Sequence, residues 1–374
     1  MRRRHRTDAP VRLLHFADLH LDSPFLWADR QAAERRRQSL RDALIAVVNL
    51  AQQLEVEALL CGGDLYEQDR FIPDTARFLQ SVFERASPLR ILIAPGNHDW
   101  LGPRSLYSLT RWSPNVTVFE RSVLEPVTLT DGLTLWGAAH TAPAGIGGFL
   151  DGFRVDRGGV HLALFHGSAR GGFAAGEQHG AHAPFAPAQV VEAGLHHALL
   201  GHYHNPVDGD HFTYPGNPAP LTFGETGERG AVLATVHAGG AVVTERHSVA
   251  RTGVHDVTVD LTSCVSGQDV RERFALALAP LGGCVRATLC GDIAPAVDVP
   301  LAALAVMPPH LDALVVRVGD LRRTHDFAAL GQEQTVRGQF VRRVRDAELA
   351  ERDRRRVLEM GLRALAGQRD LERG

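Results

Sequence analysis

Five short apolar segments of this 374-residue chain each end abruptly in polar side chains. The segments span residues 13–17, 58–61, 91–94, 160–165 and 198–200, and helical patterns at 31–53 and 74–86 lie between the first three. Short apolar strands that alternate with helices are typical of layered α/β structure. We therefore predict a layered α/β fold over the first 250 residues, with strands also at 212–214 and 230–236 in a second sheet layer.

The residues that follow the five segments are all able to bind a metal or a proton. They are Asp18 and His20; Asp64; Asn97, His98 and Asp99; His166; and His202 and His204. A single polar strand end is an ordinary turn, but in α/β sheets the loops at the carboxyl ends of neighbouring strands converge on active sites. Five such ends in one chain predict a shared site at this edge.

The side chains indicate the chemistry of this site. Aspartate, asparagine and histidine without cysteine suit Mn²⁺, Fe²⁺ or Zn²⁺. The candidate metal ligands are the seven residues Asp18, His20, Asp64, Asn97, His166, His202 and His204. Seven ligands are too many for one tetrahedral ion, so we predict two ions that share a bridging carboxylate, ~3.5–4 Å apart. In an extended segment, residues i and i+2 point the same way, so Asp18 and His20 should face one site, as should His202 and His204. Phosphoester hydrolysis is the reaction that such a pair of ions favours.

The motifs Asp18-x-His20, Gly63-Asp64, Gly96-Asn97-His98-Asp99, His166-Gly167 and Gly201-His202-x-His204, in this order, resemble the signature of calcineurin-like metallophosphoesterases. The resemblance implies an αββα sandwich over residues 1–250. Segments 16–24, 214–225 and 335–341 are similar to those of the SbcD/YhaO-type DNA repair exonucleases within that superfamily. This narrower resemblance implies a DNA nuclease, exonuclease or endonuclease, that acts in repair.

The resemblance also implies a role for each residue. One ion would be held by Asp18, His20, Asp64 and His204, and the other by Asp64, Asn97, His166 and His202, with Mn²⁺ the expected metal. His98 would protonate the leaving oxygen or stabilise the transition state, and Asp99 would orient the His98 ring. Some nucleases of this group have a histidine three residues after the bridging aspartate, where this chain has Glu67. The role of Glu67 is therefore open.

The rest of the chain follows a different pattern. Residues 251–325 are predicted to form a small α/β domain, with strands at 254–259, 284–289 and 311–318 and a helix at 268–281, and residues 326–374 a helical tail. The resemblance implies that the small domain forms a DNA-facing cap and that the tail docks on the coiled coil of an SMC-like ATPase. It leaves a homodimer open.

Composition sets broad limits on the class of protein. A hydrophobic content of 44% supports a large core, and a net charge of −3 gives no global attraction to DNA, although two divalent ions would make the cleft locally positive. The four cysteines include no Cys-x-x-Cys pair, and no apolar run approaches ~18 residues. We expect a soluble, cytoplasmic protein without a membrane partner.

Two other functions use the same sequence features. A phosphoesterase that acts on nucleotides or phosphoproteins would need the same ions, because the ions contact phosphate and not the rest of the substrate. A non-catalytic scaffold would show damaged ligands, and none is damaged. Among the other histidines, His15, His140 and His161 are expected to be structural, and His179, His182, His196 and His197 are expected to be solvated.

Overall fold

The computed structural model describes residues 9–171, 181–225, 227–250 and 252–367. The chain divides into two compact units, Met1–Gly253 and Val254–Gly374.

The first unit contains twelve strands and four helices in its described part. In chain order these are β1 (Val11–Phe16), α1 (Arg30–Gln53), β2 (Ala58–Cys61), α2 (Pro73–Arg85), β3 (Arg90–Ile93), α3 (Leu106–Leu109), β4 (Val116–Val118), β5 (Glu125–Thr130), β6 (Leu133–Gly137), β7 (Val160–His166), α4 (Ala188–Glu192), β8 (His197–Gly201), β9 (Val207–Gly209), β10 (Phe212–Tyr214), β11 (Gly230–Val236) and β12 (Val242–Ser248). The strands form two six-stranded sheets, in the orders β12-β11-β1-β2-β3-β4 and β5-β6-β7-β8-β10-β9.

The two sheets pack face to face, with helices on their outer faces. Leu13, Leu60 and Leu92 of the first sheet share one buried cluster with Leu162 and Leu199 of the second. Strands β1 to β4 are parallel, as are β6, β7, β8 and β10. The central strands are buried on both faces, which explains their continuous apolar sequences. This arrangement confirms the predicted layered α/β class.

Helix α1 covers the outer face of the first sheet. The Asp29 side chain accepts a 2.8 Å hydrogen bond from Ala32 N and caps the helix. Buried side chains recur at helical spacing, at Leu40, Leu44, Val47 and Ala51, within the cluster that also contains Leu59 and Ile91 of the sheet. Full burial of one leucine stabilises a fold by about 1.5–3 kcal/mol, so this stripe fixes the layer on which the site is built.

The prediction that residues 230–236 belong to a second sheet is wrong. Strand β11 pairs antiparallel with β1, from Val11 opposite Val236 to His15 opposite Val232, in the first sheet. Residues 212–214 do lie in the second sheet, where β10 is parallel to β8. An apolar run indicates burial, but it does not identify the neighbouring strand.

The second unit contains a three-stranded sheet and a group of helices. Its elements are β13 (Val254–Asp260), α5 (Gly267–Leu278), β14 (Gly283–Ile293), α6 (Leu301–Leu304), β15 (Leu311–Arg323), α7 (Phe327–Gln332), α8 (Val336–Arg345) and α9 (Glu351–Leu365). The strands are parallel, in the order β13-β14-β15. Val270 and Phe274 of α5 pack with Val285 and Leu289 of β14.

The helical tail has a small core of its own. Leu330 of α7, Val341 and Val344 of α8, and Leu358 and Leu362 of α9 form one buried cluster. Residues 368–374 of the predicted tail lie outside the described residues. Among the helices that the structure does describe, none combines the length and the apolar character needed to span a bilayer.

Candidate metal centre

The loops that leave neighbouring strands stay hydrogen-bonded to one another beyond the strand ends. Asp18 N donates to Gly63 O at 2.9 Å, and His20 N donates to Asp64 O at 2.9 Å. In the other sheet, Gly167 N donates to Gly201 O at 3.1 Å. The ligand-bearing loops of each sheet are therefore held as rigid continuations of parallel strands.

These loops bring five of the seven predicted ligands into contact. Three groups of ligand atoms each lie within 4.8 Å of one another: Asp18, His20 and His204; Asp18, Asp64 and His166; and His20, Asp64 and His98. Asp64 Oδ2 lies 3.3 Å from His166 Nε2 and 3.6 Å from His20 Nε2. Asp64 thus sits between the two ligand sets, where a bridging carboxylate must be.

The ligands converge by a different route from the one predicted. Asp18, His20, Asp64 and His202 all have left-handed backbone, with φ of 56°, 50°, 51° and 119°. The expectation that Asp18 and His20 alternate along an extended segment is therefore wrong. The chain turns sharply at each ligand, and Leu19 between them is buried in the core as expected.

Glycines make room for these turns. A β carbon on Gly96 would lie 2.3 Å from Asp64 Oδ1, and one on Gly201 would lie 2.2 Å from Gly62 O. Both distances are far below van der Waals contact. Glycine at 96 therefore permits the loops after β2 and β3 to approach this closely, and glycine at 201 does the same for the loops of the two sheets.

Three ligand histidines are oriented by an acceptor at Nδ1. His20 Nδ1 lies 2.8 Å from Glu67 Oε1, His204 Nδ1 lies 2.8 Å from Glu225 Oε1, and His166 Nδ1 lies 3.0 Å from Gly62 O. Because carboxylate and carbonyl oxygens only accept, Nδ1 must be protonated in each ring, and Nε2 is left as the ligand atom.

Asn97 and His202, the other two predicted ligands, lie at the same site. Asn97 Oδ1 is buried without a hydrogen-bond partner. The His202 ring packs against the His166 ring, with 5.2 Å between centroids. A buried acceptor that lacks a donor is costly, and a divalent ion would satisfy it. The residues present thus fit a pair of divalent ions.

The charges of the site also favour the binding of divalent cations. Burial raises the pKa of Asp18; burial alone would also raise the pKa of Asp64, but its charge interaction and hydrogen bond with His166 lower it. Burial lowers the pKa of His166 and His204, but neighbouring carboxylates outweigh it and raise both to about 9. Without ions the buried carboxylates are thus balanced by protons on histidine, and divalent cations would supply that charge instead.

His98 is the exposed histidine of the site. Its side chain is 43% exposed, its backbone N donates to Asp64 Oδ1 at 2.8 Å, and its Nδ1 lies 3.1 Å from Glu67 Oε2. Burial lowers the pKa of His98, but the hydrogen bond to Glu67 and the charge of Asp64 outweigh this effect and raise the pKa to about 9. Glu67 therefore contacts both His20, a predicted metal ligand, and the exposed His98.

The role expected of Asp99 needs correction. Its carboxylate accepts hydrogen bonds from the backbone N atoms of Asp64, Leu65 and Gly96 and from the Tyr107 hydroxyl at 2.5 Å. These four donors use its oxygens, and the His98 ring donates from Nδ1 to Glu67 instead. Asp99 thus links the loop at residues 64–65 to the loop at residue 96, and Glu67 orients His98.

The other histidines are partly as expected. His15, His140 and His161 are buried, and His140 Nε2 lies 2.8 Å from His166 O beneath the site. His197, for which the sequence predicts a solvated side chain, is buried with Nε2 3.0 Å from Thr213 Oγ1. His182 is half-buried with its ring 5.5 Å from that of His202, and His196 is half-buried, whereas His179 lies outside the described residues.

Comparison with known proteins identifies the class that this fold and site define. The family profile described as Calcineurin-like phosphoesterase matches residues 11–206, more than half of the chain. The chain belongs to this family of metal-dependent phosphoester hydrolases, which confirms the broader of the two resemblances seen in the sequence.

Two individual proteins are similar to it. Over 237 residues the chain is 28% identical to the uncharacterized metallophosphoesterase YhaO of Bacillus subtilis (strain 168), a match that covers 60% of this chain and 57% of that relative. The crystal structure of TT1561 of Thermus thermophilus aligns with a TM-score of 0.36 and 12% identity, over 64% of this chain and 99% of that one.

Proposed function

We propose that this protein is a metal-dependent DNA nuclease that hydrolyses phosphodiester bonds in DNA repair. The observation that supports the proposal most is the exposed His98 beside Asp64 and His20, at the carboxyl edge of both sheets. Segments 16–24 and 214–225, which resemble those of SbcD/YhaO-type nucleases, both border this site in sequence.

The residues divide the reaction between them. When bound, two divalent ions, which we propose to be Mn²⁺, supply Lewis acidity, a lowered pKa of water and neutralisation of phosphoryl charge. Asp18, His20, Asp64 and His204 would hold one ion, and Asp64, Asn97, His166 and His202 the other. The His98 ring, fixed at Nδ1 by Glu67, presents Nε2 to the leaving oxygen and donates the proton that this oxygen needs.

The substrate specificity of the site can be tested with several classes of phosphate ester. End-labelled double-stranded and single-stranded DNA, mononucleotides, a phosphopeptide and bis(p-nitrophenyl) phosphate would be incubated with Mn²⁺, with Mg²⁺ and with chelator. We expect Mn²⁺-dependent shortening of DNA by the native protein. Hydrolysis of mononucleotides or the phosphopeptide with DNA untouched would instead support the alternative phosphoesterase of another substrate class.

A pair of variants tests the catalytic residue. His98→Ala should lose DNA cleavage while it retains its metal content, because His98 is assigned to the substrate and not to an ion. His237→Ala, at an exposed position in the β11–β12 turn, serves as the control. Unchanged cleavage by His98→Ala would refute the role given to His98, and absence of cleavage by the native protein under every condition would favour a non-catalytic scaffold.

The proposed partner is an SMC-like ATPase, with the helical tail as the docking region. Val336, Val357, Met360 and Leu365 of α8 and α9 are large apolar side chains that are at least 40% exposed, which suits a coiled-coil partner. Because both DNA and this ATPase would be found in the cytoplasm, we propose that the protein acts there. Copurification of the two proteins should fail for a Val357→Glu, Met360→Glu variant, and retained copurification would place the contact elsewhere.

Gel filtration of the native protein decides whether it is a homodimer.

A further inference from the structure

The segment 214–229, which the structure describes except for residue 226, follows the last predicted metal ligand and lies beyond residue 206, where the family match ends. The family profile therefore gives its residues no role. Glu225, within this segment, is only 7% exposed, and its Oε1 lies 2.8 Å from Nδ1 of His204. A buried glutamate is rare unless its charge is used.

Both oxygens of Glu225 are engaged. While Oε1 faces His204, Oε2 accepts hydrogen bonds from Asn217 Nδ2 at 2.6 Å, Leu221 N at 2.6 Å and Thr222 N at 3.3 Å. Rotation of the carboxylate would break several of these bonds at once. The acceptor that faces His204 is therefore fixed in place.

The same segment also holds the backbone of His204. Asn217 N donates to His204 O at 3.0 Å, and Arg229 Nη1 donates to the same oxygen at 3.1 Å and to Asn217 Oδ1. Arg229 Nη2 reaches Asn205 Oδ1 at 3.2 Å. The ring and the main chain of His204 thus have their positions set by one buried polar network.

We propose that Glu225 is a positioning residue for His204, and that segment 214–229 thereby determines how tightly one of the two ions is held. This ion is the one bound by Asp18, His20 and His204. Glu225 keeps the proton on Nδ1 of His204, which leaves Nε2, 3.1 Å from His20 Nε2, free to coordinate. The inference rests on the two-metal part of the proposed function and not on DNA as the substrate.

Glu225→Gln tests this role because it preserves shape and removes one acceptor. If the amide oxygen faces His204, the amide nitrogen opposes the donors Asn217 Nδ2 and Leu221 N. If the amide nitrogen faces His204, it opposes the Nδ1 proton and favours the ring form with its proton on Nε2, where the ion should bind. Either orientation weakens metal binding at His204.

The experiment is calorimetric titration of the full, metal-free chain with MnCl₂. We expect two binding steps in the native protein and, in Glu225→Gln, a roughly 10- to 100-fold weaker affinity in one step with the other unchanged. Glu225→Asp, which keeps the carboxylate, should be intermediate. Glu228→Gln, an exposed glutamate three residues away, is the matched control and should bind as the native protein does.

Two outcomes would overturn the inference: native affinity in both steps of Glu225→Gln, or an equal loss in both. Activity gives an independent readout, because excess Mn²⁺ should restore turnover to Glu225→Gln, whereas a general folding defect would not respond to the ion. If the native protein cleaves no DNA but shows the expected one-step loss, the nuclease proposal fails and the role of Glu225 stands.

Discussion

Glu67→Gln is the substitution that best tests how the site works. The Glu67 carboxylate contacts the metal ligand His20 through Oε1 at 2.8 Å and the exposed His98 through Oε2 at 3.1 Å. Glutamine has the same shape but only one acceptor oxygen and no charge. The change therefore removes at least one of the two contacts and leaves the fold around it intact.

The size of the effect follows from these contacts. A hydrogen bond to a charged group contributes about 1.5–3 kcal/mol, and each 1.36 kcal/mol corresponds to a tenfold change in rate. Loss of the contact that orients His98 should thus lower kcat by roughly 10- to 100-fold. His98→Ala combined with Glu67→Gln should be little worse than His98→Ala alone, apart from any loss of metal affinity through His20.

The pH profile gives a second, independent signature. Glu67 raises the pKa of His98, and His98 is active as an acid only while protonated, so activity falls as pH rises through that pKa. Removal of the negative charge lowers the pKa of His98, and the alkaline limb of the profile should move to lower pH.

The assay is initial-rate hydrolysis of bis(p-nitrophenyl) phosphate, or of DNA, from pH 6 to 10 with saturating Mn²⁺. Glu57→Gln, at an exposed position, controls for the loss of one negative charge from the same part of the chain. A kcat within threefold of native for Glu67→Gln, together with an unmoved alkaline limb, would refute the assignment of Glu67 as the partner of His98.

Three further perturbations have defined outcomes. Gly96→Ala should lose bound metal, because its β carbon would lie 2.3 Å from Asp64 Oδ1. Gly158→Ala, whose β carbon meets open space, should retain it. Elemental analysis measures the metal content of both variants. Burial lowers the pKa of His197 from 6.5 to about 4, so the unfolded chain takes up a proton there that the native state does not. The free energy of unfolding should therefore fall by up to roughly 3 kcal/mol as pH drops from about 6.5 to 4. Urea unfolding of His197→Gln should show a shallower dependence of this free energy on pH, and a dependence equal to that of the native protein would contradict the reasoning. Chelation should lower the melting temperature, since an ion at 100 times its Kd stabilises the native state by about 2.7 kcal/mol, and an unchanged melting temperature would argue against bound ions.

The sequence predicted which polar side chains lie together at this edge because their signal is local. Asp64 and Asn97 lie a few residues after the buried strands β2 and β3, and His166 ends β7. The carboxyl ends of parallel strands meet at one edge whatever the order of the strands. The layered class follows from the same alternation of strands and helices. These properties depend on a few consecutive residues and not on which distant segments touch.

The contacts that orient the ligands could not be predicted in this way. Glu67 and Glu225 meet His20 and His204 from 47 and 21 residues away, and Asp99 reaches Asp64 from 35 residues away. Whether a given acid faces one histidine or another depends on differences of a few ångströms in how loops pack. For this reason the sequence favours the neighbouring Asp99 as the partner of His98. The pairing of β11 with β1 could not be predicted either, because it also depends on which distant segments pack together.

The left-handed backbone at Asp18, His20, Asp64 and His202 has an energetic consequence. A residue with a β carbon in that conformation costs about 1–2 kcal/mol relative to an unstrained position, whereas glycine adopts it freely. Glycine at each of these four positions would relieve that strain, but it would also remove the carboxylate or imidazole on which the candidate metal site depends. The loops therefore give up some conformational stability in order to present these four side chains.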